Sequence, residues 1–436
     1  MTQPMTFVAT GDSFITRRLP GKTAWVKELT ELLASAEARF TNLEVTTHDY
    51  EGTPGAVSGG TWGIASPHVL KDIKQLGFNL VNWANNHTLD YSFDGLMATE
   101  RYLNQYEFVH AGAGCNLARA SEPRYLETMS GRVALIAATS SFHESWMAGE
   151  QRPDMVGRPG VNGLRHNEVF VIEPGKLKVL KEIADEVPIN AVYNRRVKQG
   201  FALQSDDDEL FHFGKHLFKA GDHTGQETTT NQKDMARISR SISLAKRTAD
   251  YVIVSIHSHE MKGDINDKPA DFLVEFAHRC IDEGAHAVIG HGPHILRGIE
   301  IYKQRPIFYS LGNFIFQNDC VSHLPFDFYE KYNLGYINNV ADAFEARSAN
   351  RTRGLAVMPE AWQSIIPHWT MENGIIKELA LYPVELGFGD PVYRAGWPVL
   401  TRSSAVITRL QTLSTPFGTE IHVENGIGKV VIGGKK

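Results

Sequence analysis

The sequence predicts a layered α/β protein with parallel strand pairs, a cap inserted in its middle and hairpins towards its C-terminus. Three observations predict it. Short β-rich apolar runs alternate with helical patterns through the first half and again beyond residue 250; the polar stretch 145–248 interrupts them; and Asn-Gly dipeptides punctuate the C-terminal part. Strand and helix alternation of this kind implies parallel strands with helices packed on the sheet.

Taken in order, 7–9 reads as a strand, 24–36 as an amphipathic helix and 38–41 as a strand. A helix follows over 67–76 with Pro67 in its first turn, where the missing N–H costs nothing. Strands at 79–84, 108–110 and 133–139 surround a helix over 95–104. The stretch 145–248 holds Gly157-Arg158-Pro159-Gly160, the acidic run 206–209 and Thr228-Thr229-Thr230, and reads as a lid inserted into a catalytic domain spanning 1–330. The pattern resumes with a strand at 251–256, a helix over 269–284 and strands at 287–290, 298–302 and 306–311. Residues 331–436 form an extension in which Glu372-Asn373-Gly374 and Glu424-Asn425-Gly426 lie between alternating segments, a hairpin signal.

Composition narrows the class of partner. The 436 residues carry 44 Lys+Arg against 50 Asp+Glu, a formal net charge of -6, which argues against a nucleic-acid binder held by a basic footprint. Three cysteines without CxxC spacing form neither a disulfide framework nor a zinc ribbon, so a reduced, cytoplasmic protein is expected. The apolar stretch 5–10 is too short for a signal peptide, and no run of about 18 apolar residues predicts a membrane partner.

Metal-competent polar residues cluster directly after the predicted strands. Asp12 follows the first and Glu44 the second; Asn85-Asn86-His87 with Asp90, His257-Ser258-His259-Glu260 and His291-Gly292-Pro293-His294 follow three more. Ligands of α/β sheets bind beyond the carboxyl ends of the strands, so five such clusters on one rim make a site.

Together these motifs, running on to Tyr309-Ser310-Leu311-Gly312-Asn313-Phe314, resemble the poly-gamma-glutamate capsule-biosynthesis family, usually called CapA, as does the loop from Gly157 to Arg165. That family is similar to calcineurin-like metallophosphatases and includes lasso-peptide epimerases. The resemblance covers roughly 6–316 and implies an α/β/β/α fold in which Asp12 matches the first aspartate and Glu44 the bridging carboxylate. It likewise implies that Asn86 is the amide ligand, His87 the catalytic imidazole, His257 the lone His, and His291 and His294 the final pair. Two departures stand out: the Asp-x-His position reads Asp12-Ser13-Phe14, and Gly292-Pro293 widens the last spacing. One divalent ion is therefore expected, on Glu44, Asn86, His257 and His291, with calcium, manganese and zinc all open and no organic cofactor.

Freed from ligand duty, Asp12 and His294 are expected to pair, as are His87 and Asp90; a carboxylate beside an imidazole orients it for proton transfer. Arg158 and Arg165 are candidates for holding a substrate carboxylate, since guanidinium matches it bidentately. His259 and Glu260 read as orienters of the ligands, Asn313 as a group satisfying a turn, and Trp83, Trp146 and 211–213 as core packing. Three functions remain: Cα epimerisation of a residue in a ribosomal peptide, the favoured reading; metal-dependent hydrolysis of a phosphoester or peptide bond; and a non-catalytic subunit of polyglutamate synthesis.

Overall fold

The computed structural model describes residues 4–21, 23–203, 207 and 209–433. Two β-sheets lie face to face. In the first, the parallel strands Met5–Phe14, Ala38–Leu43, Leu80–Asn82 and Val109–Ala111 run side by side, and Gln363–Glu372 joins antiparallel on the other edge of Met5–Phe14. In the second, Arg132–Thr139, Tyr251–His257, Ala287–His291 and Arg305–Phe308 are parallel, with antiparallel Arg124–Glu127 and Ile299–Tyr302 at its edges.

Side-chain alternation along each strand makes the layers. Met5, Phe7 and Ala9 enter a core shared with Leu135, Ile253 and Ile289 of the opposite sheet, whereas Val8 turns outward to Leu29 and Leu33 of the helix Ala24–Ala34. Tyr251 and Ile253 likewise face the first sheet, while Val252, Val254 and Ile256 meet Phe272 and Phe276 of the helix Asp271–Glu283. The result is the α/β/β/α sandwich. Each large side chain so buried contributes about 1.5–3 kcal/mol of transfer free energy.

The C-terminal segment completes the first sheet. Gln363–Glu372 and Ile375–Glu385 form a hairpin turned by Asn373 (φ 52°) and Gly374 (φ 78°), and Asn425 and Gly426 repeat those angles between Ile421–Glu424 and Ile427–Val430. Positive φ at both turn positions is the reason for Asn-Gly. Trp369 stacks on Phe7 across the shared edge, ring centroids 5.2 Å apart.

Within the interrupting stretch, His166–Ile172, Phe211–Phe213, His216–Ala220 and Gly225–Thr230 form a separate four-stranded sheet bearing the helices Pro174–Glu186 and Ala191–Lys198. Its last helix, Gln232–Ala245, is instead part of the core layer: Met235, Ile238 and Ile242 pack on the second sheet, and Asn231 caps it by accepting from Lys233 N and Asp234 N. The acidic run 206–209 lies partly outside the described residues. Trp83 and Trp146 are buried in the core. Among the described residues, no helix is long and apolar enough to cross a membrane.

Candidate metal centre

Strand register brings the first group of the site together. Asp12 pairs across the first sheet with Asn42, and Asn42 with Asn82; across the second, Thr139 pairs with His257 and His257 with His291. The two rows face each other at the carboxyl ends of their strands. One extra residue in Met5–Phe14 between the Ala9–Phe40 and Asp12–Asn42 pairs shifts the register and helps to aim Asp12.

The rows are bonded to each other. Asn82 Nδ2 donates to Asn42 Oδ1 at 2.6 Å, and Asn42 Nδ2 donates to Asp12 Oδ1 at 2.7 Å. Asp12 Oδ1 lies 3.4 Å from His291 Nδ1 and 3.7 Å from His257 Nδ1, and its Oδ2 accepts from Gly292 N at 3.0 Å. His257 turns its other nitrogen to a second group: Nε2 lies 3.2 Å from His259 Nε2 and 3.7 Å from Glu44 Oε1. Two ligand sets result, Asp12–His257–His291 and Glu44–His259–His294, and the His257 imidazole touches both.

The electrostatics fit a cation. Both carboxylate oxygens of Glu44 and Oδ1 of Asn86 are buried with no hydrogen-bond partner. Such groups cost about 1–3 kcal/mol each when left unpaired, and all three are hard oxygen donors of the kind a divalent ion takes. Burial, then the charges of Asp12 and Asp90, push the Glu44 carboxyl well above the carboxylate range. Burial would raise Asp12 too, but the hydrogen bond and charge of His291, the charge of His294 and the Asn42 amide leave it lowered. Burial and neighbouring imidazoles hold His257 well below its ordinary value and take His259 down to about 3, so both rings are neutral and able to ligate.

Beside this cluster stands His87, its Nδ1 2.6 Å from Asp90 Oδ2. Asp90 also accepts from Gly59 N at 3.0 Å and Gly63 N at 2.6 Å; burial nevertheless raises its pKa, against the pull of His87. Only glycine fits at 59, because a Cβ there would fall against the Asn86 carbonyl. Phe14 does not leave a gap: its ring meets His87 edge-on at 5.0 Å, bracing the imidazole where the expected ligand is missing. His294, at φ 61°, is clasped by Asn313, whose Oδ1 lies 2.9 Å from the ring Nδ1 and whose Nδ2 donates to the His294 carbonyl at 3.3 Å.

Asp12, Glu44, Asn86, His87, Asp90, His257, His291 and His294 thus converge. The expected ligand set is divided, with His257 and His291 beside Asp12 and Glu44 in the second group; the Asp12–His294 pair is present at 4.0 Å, while each partner also belongs to a ligand group. Arg165 forks onto buried Asp234 at 2.7 and 2.9 Å, and Arg158 donates to the Met147 carbonyl. Both line a neighbouring cavity of about 560 Å³ that reaches Ser140, whose amide donates to the His257 carbonyl. Asn42 and Asn82 went unread in the sequence, although an amide inside an apolar strand is itself a signal. His259 emerges among the ligand groups rather than behind them, and Glu260 accepts from Ser140, Ser141 and Ser258 beneath it.

Two facing sheets with a histidine–carboxylate cluster at their parallel strand ends define a calcineurin-like metallophosphatase fold with a candidate metal centre. The model of the family described as "Bacterial capsule synthesis protein PGA_cap" matches residues 6–318, and the chain belongs to that family. It is similar to y4sH of Sinorhizobium fredii (strain NBRC 101917 / NGR234), described as uncharacterized: 36% identical over 441 residues, 98% of this chain and 92% of that protein. It is also similar to the PGA biosynthesis protein CapA of Bacillus subtilis (strain 168), 45% identical over 248 residues, which span 57% of this chain and 45% of that protein. Among solved structures, a hypothetical protein from Thermus thermophilus aligns with 87% of this chain and 99% of its own at 12% identity and a TM-score of 0.39.

Proposed function

We propose that the chain is a metal-dependent isomerase that inverts a Cα centre in a peptide, with His87 and His294 as its two proton-transfer groups. One observation carries the reading: two imidazole–carboxylate pairs, His87–Asp90 at 2.6 Å and His294–Asp12 at 4.0 Å, border one cluster of ligand atoms. His87 follows a strand of the first sheet and His294 a strand of the second, so the two imidazoles are presented from different sheets.

Inversion needs a proton to leave one face of the carbon and another to arrive at the opposite face. His87, oriented by Asp90, takes the Cα proton; the C–H electron pair moves to the adjacent carbonyl oxygen; His294 delivers a proton from the other side as that pair returns. In the reverse direction the roles exchange, and no redox cofactor is consumed. Glu44 and Asp12, with the imidazoles of His257, His259 and His291, would hold a divalent ion, which when bound would supply positive potential for the oxygen on which charge develops, a contribution of roughly 3–4 kcal/mol in comparable sites.

A second reading, hydrolysis of a phosphoester or amide, is favoured by the grouping of His294 with Glu44 and His259, which would make His294 a ligand and provide for a metal-activated water. Ribosomal peptides encoded beside the gene, incubated with metal-loaded enzyme in deuterated water, separate the two. A single deuterium should enter one Cα with inversion, and His87→Ala or His294→Ala should slow this at least about 100-fold. Cleaved peptide or released phosphate without Cα exchange would establish hydrolysis instead.

A further inference from the structure

Residues beyond the family-matched segment also reach the site. The helix Val340–Ser348, capped at Asn339 by a capping box, carries Arg347 onto the loop that holds Asp90. The guanidinium donates through Nη1 to the hydroxyl of buried Thr61, and its Nη2 lies 3.8 Å from where a Cβ of Gly60 would stand. Thr61 and Gly60 sit between Gly59 and Gly63, whose amides hold the two oxygens of Asp90. Arg347 therefore stands one loop-width from His87–Asp90.

This arginine has no counter-ion. Among the described residues no carboxylate lies within 4.0 Å of it, whereas Arg165, Arg237 and Arg18 are each paired with an aspartate; buried Arg297 also has no carboxylate but donates to the Asn266 and His259 carbonyls. Phe328 lies under the group, 5.9 Å from ring centroid to guanidinium carbon, so the side chain is supported without being neutralised. A guanidinium carries five N–H donors; Thr61 occupies one, and two of the rest suffice for a bidentate grip on an oxyanion.

We infer that Arg347 is the anchor for an anionic oxygen group of the substrate, a carboxylate or a phosphate, beside the bond that His87 and His294 act on. The inference rests on the proposed reading of the site and names the substrate's chemistry: the reacting residue carries, or adjoins, a negative charge. For a peptide this is a terminal or side-chain carboxylate; for the hydrolase reading it is a phosphoryl group. Bound in this way, the anion also fixes the Cα or phosphorus between the two imidazoles, which a free surface charge does not do.

Calorimetric titration of the metal-loaded protein and of the chelated protein with N-acetylglycine, N-acetylglycinamide and inorganic phosphate tests it. Wild type should bind at least one anion and not the uncharged amide. Arg347→Met should weaken that anion at least about 10-fold, the loss typical of one charge-assisted contact, and Arg347→Lys should fall between. Exposed Arg353→Met, which removes the same net charge nearby, should bind as wild type. Dependence on Arg347 confined to N-acetylglycine identifies a carboxylate, and dependence confined to phosphate a phosphoryl group. Metal content and thermal unfolding of each variant separate anchoring from a folding defect. An Arg347→Met protein that binds both anions as tightly as wild type overturns the inference, and so does a loss of binding that only follows lost metal or lost stability. Absence of measurable anion binding to wild type overturns it equally. Arg347-dependent binding without Cα exchange would refute only the isomerase reading, and Cα exchange untouched by Arg347→Met only this one.

Discussion

Replacing Glu44 with Gln removes the negative charge from the ligand whose surroundings most require a cation. Its two oxygens are buried and unpartnered, and its carboxyl is raised by burial and by the charges of Asp12 and Asp90. In the metal-free protein a raised folded pKa means that Glu44 holds its proton: the associated stability is complete below the unfolded value of about 4.3 and is lost as pH rises through the folded value. An ion must displace that proton wherever the carboxyl holds it, so binding should release protons from Glu44 at pH values below its raised folded pKa. An ion at 100 times its dissociation constant stabilises wild type by about 2.7 kcal/mol. Outer-shell changes alone weaken metal sites about 10–100-fold, so loss of a direct charged ligand is expected to cost at least about 100-fold. At the same ion concentration Glu44→Gln then gains only RT ln 2, about 0.4 kcal/mol. Denaturant unfolding with and without added manganese, zinc or calcium measures the difference, and calorimetry in two buffers of different ionisation heat counts the protons. An ion-induced gain and a proton release both equal to wild type would refute the reasoning.

Two further outcomes follow from other parts of the fold. Asp234 is lowered because, although burial raises it, bonds from Arg165 and Arg237 outweigh that effect; its contribution is present above the unfolded value of about 3.9 and fades as pH falls through the folded one. Asp234→Asn should lose about 3 kcal/mol at pH 7 by stranding Arg237, and less as the pH falls towards about 2; urea midpoints that differ from wild type by a constant amount across that range would contradict this. Gly59→Ala should cost about 1–3 kcal/mol through the clash with the Asn86 carbonyl, and should slow turnover by moving Asp90. Gly335→Ala, with open space at its Cβ, is the control; equal melting temperatures for the two variants would show that the loop yields freely.

What was legible in the sequence is what depends on one strand at a time. Asp12, Asn86, His87, His257 and His291 each follow an apolar run, so the rule that ligands lie beyond strand ends finds them without a structure. Asn42 and Asn82 act only through pairing between strands that lie 40 residues apart, and no local pattern reports a register. His259 is two residues beyond His257, and its approach depends on the turn that Ser141 fixes by accepting from its amide. The helix Gln232–Ala245 shows the same limit at the level of layers. Its exposed face carries Lys233, Arg240 and Ser243 and matches the polar cap before it, whereas its apolar face, with Met235, Ile238 and Ile242 at helical spacing, belongs to the core. Arg347 lies far along the chain from every motif, and its meaning comes from the loop on which it rests.

The pairing of Gln363–Glu372 with Met5–Phe14 bears on the order in which the molecule can be made. The strand that carries Asp12 leaves the ribosome long before its neighbour on one side, which is encoded more than 350 residues later. Through most of translation that edge, with Phe7 awaiting Trp369, is an unpaired template for any passing strand. The metal-binding seam is thus assembled late, and a fragment ending at residue 318, where the family match ends, would keep nearly every ligand while leaving the first strand's edge open at Met5, Thr6, Phe7 and Val8. Such a fragment should aggregate where the full chain stays dispersed.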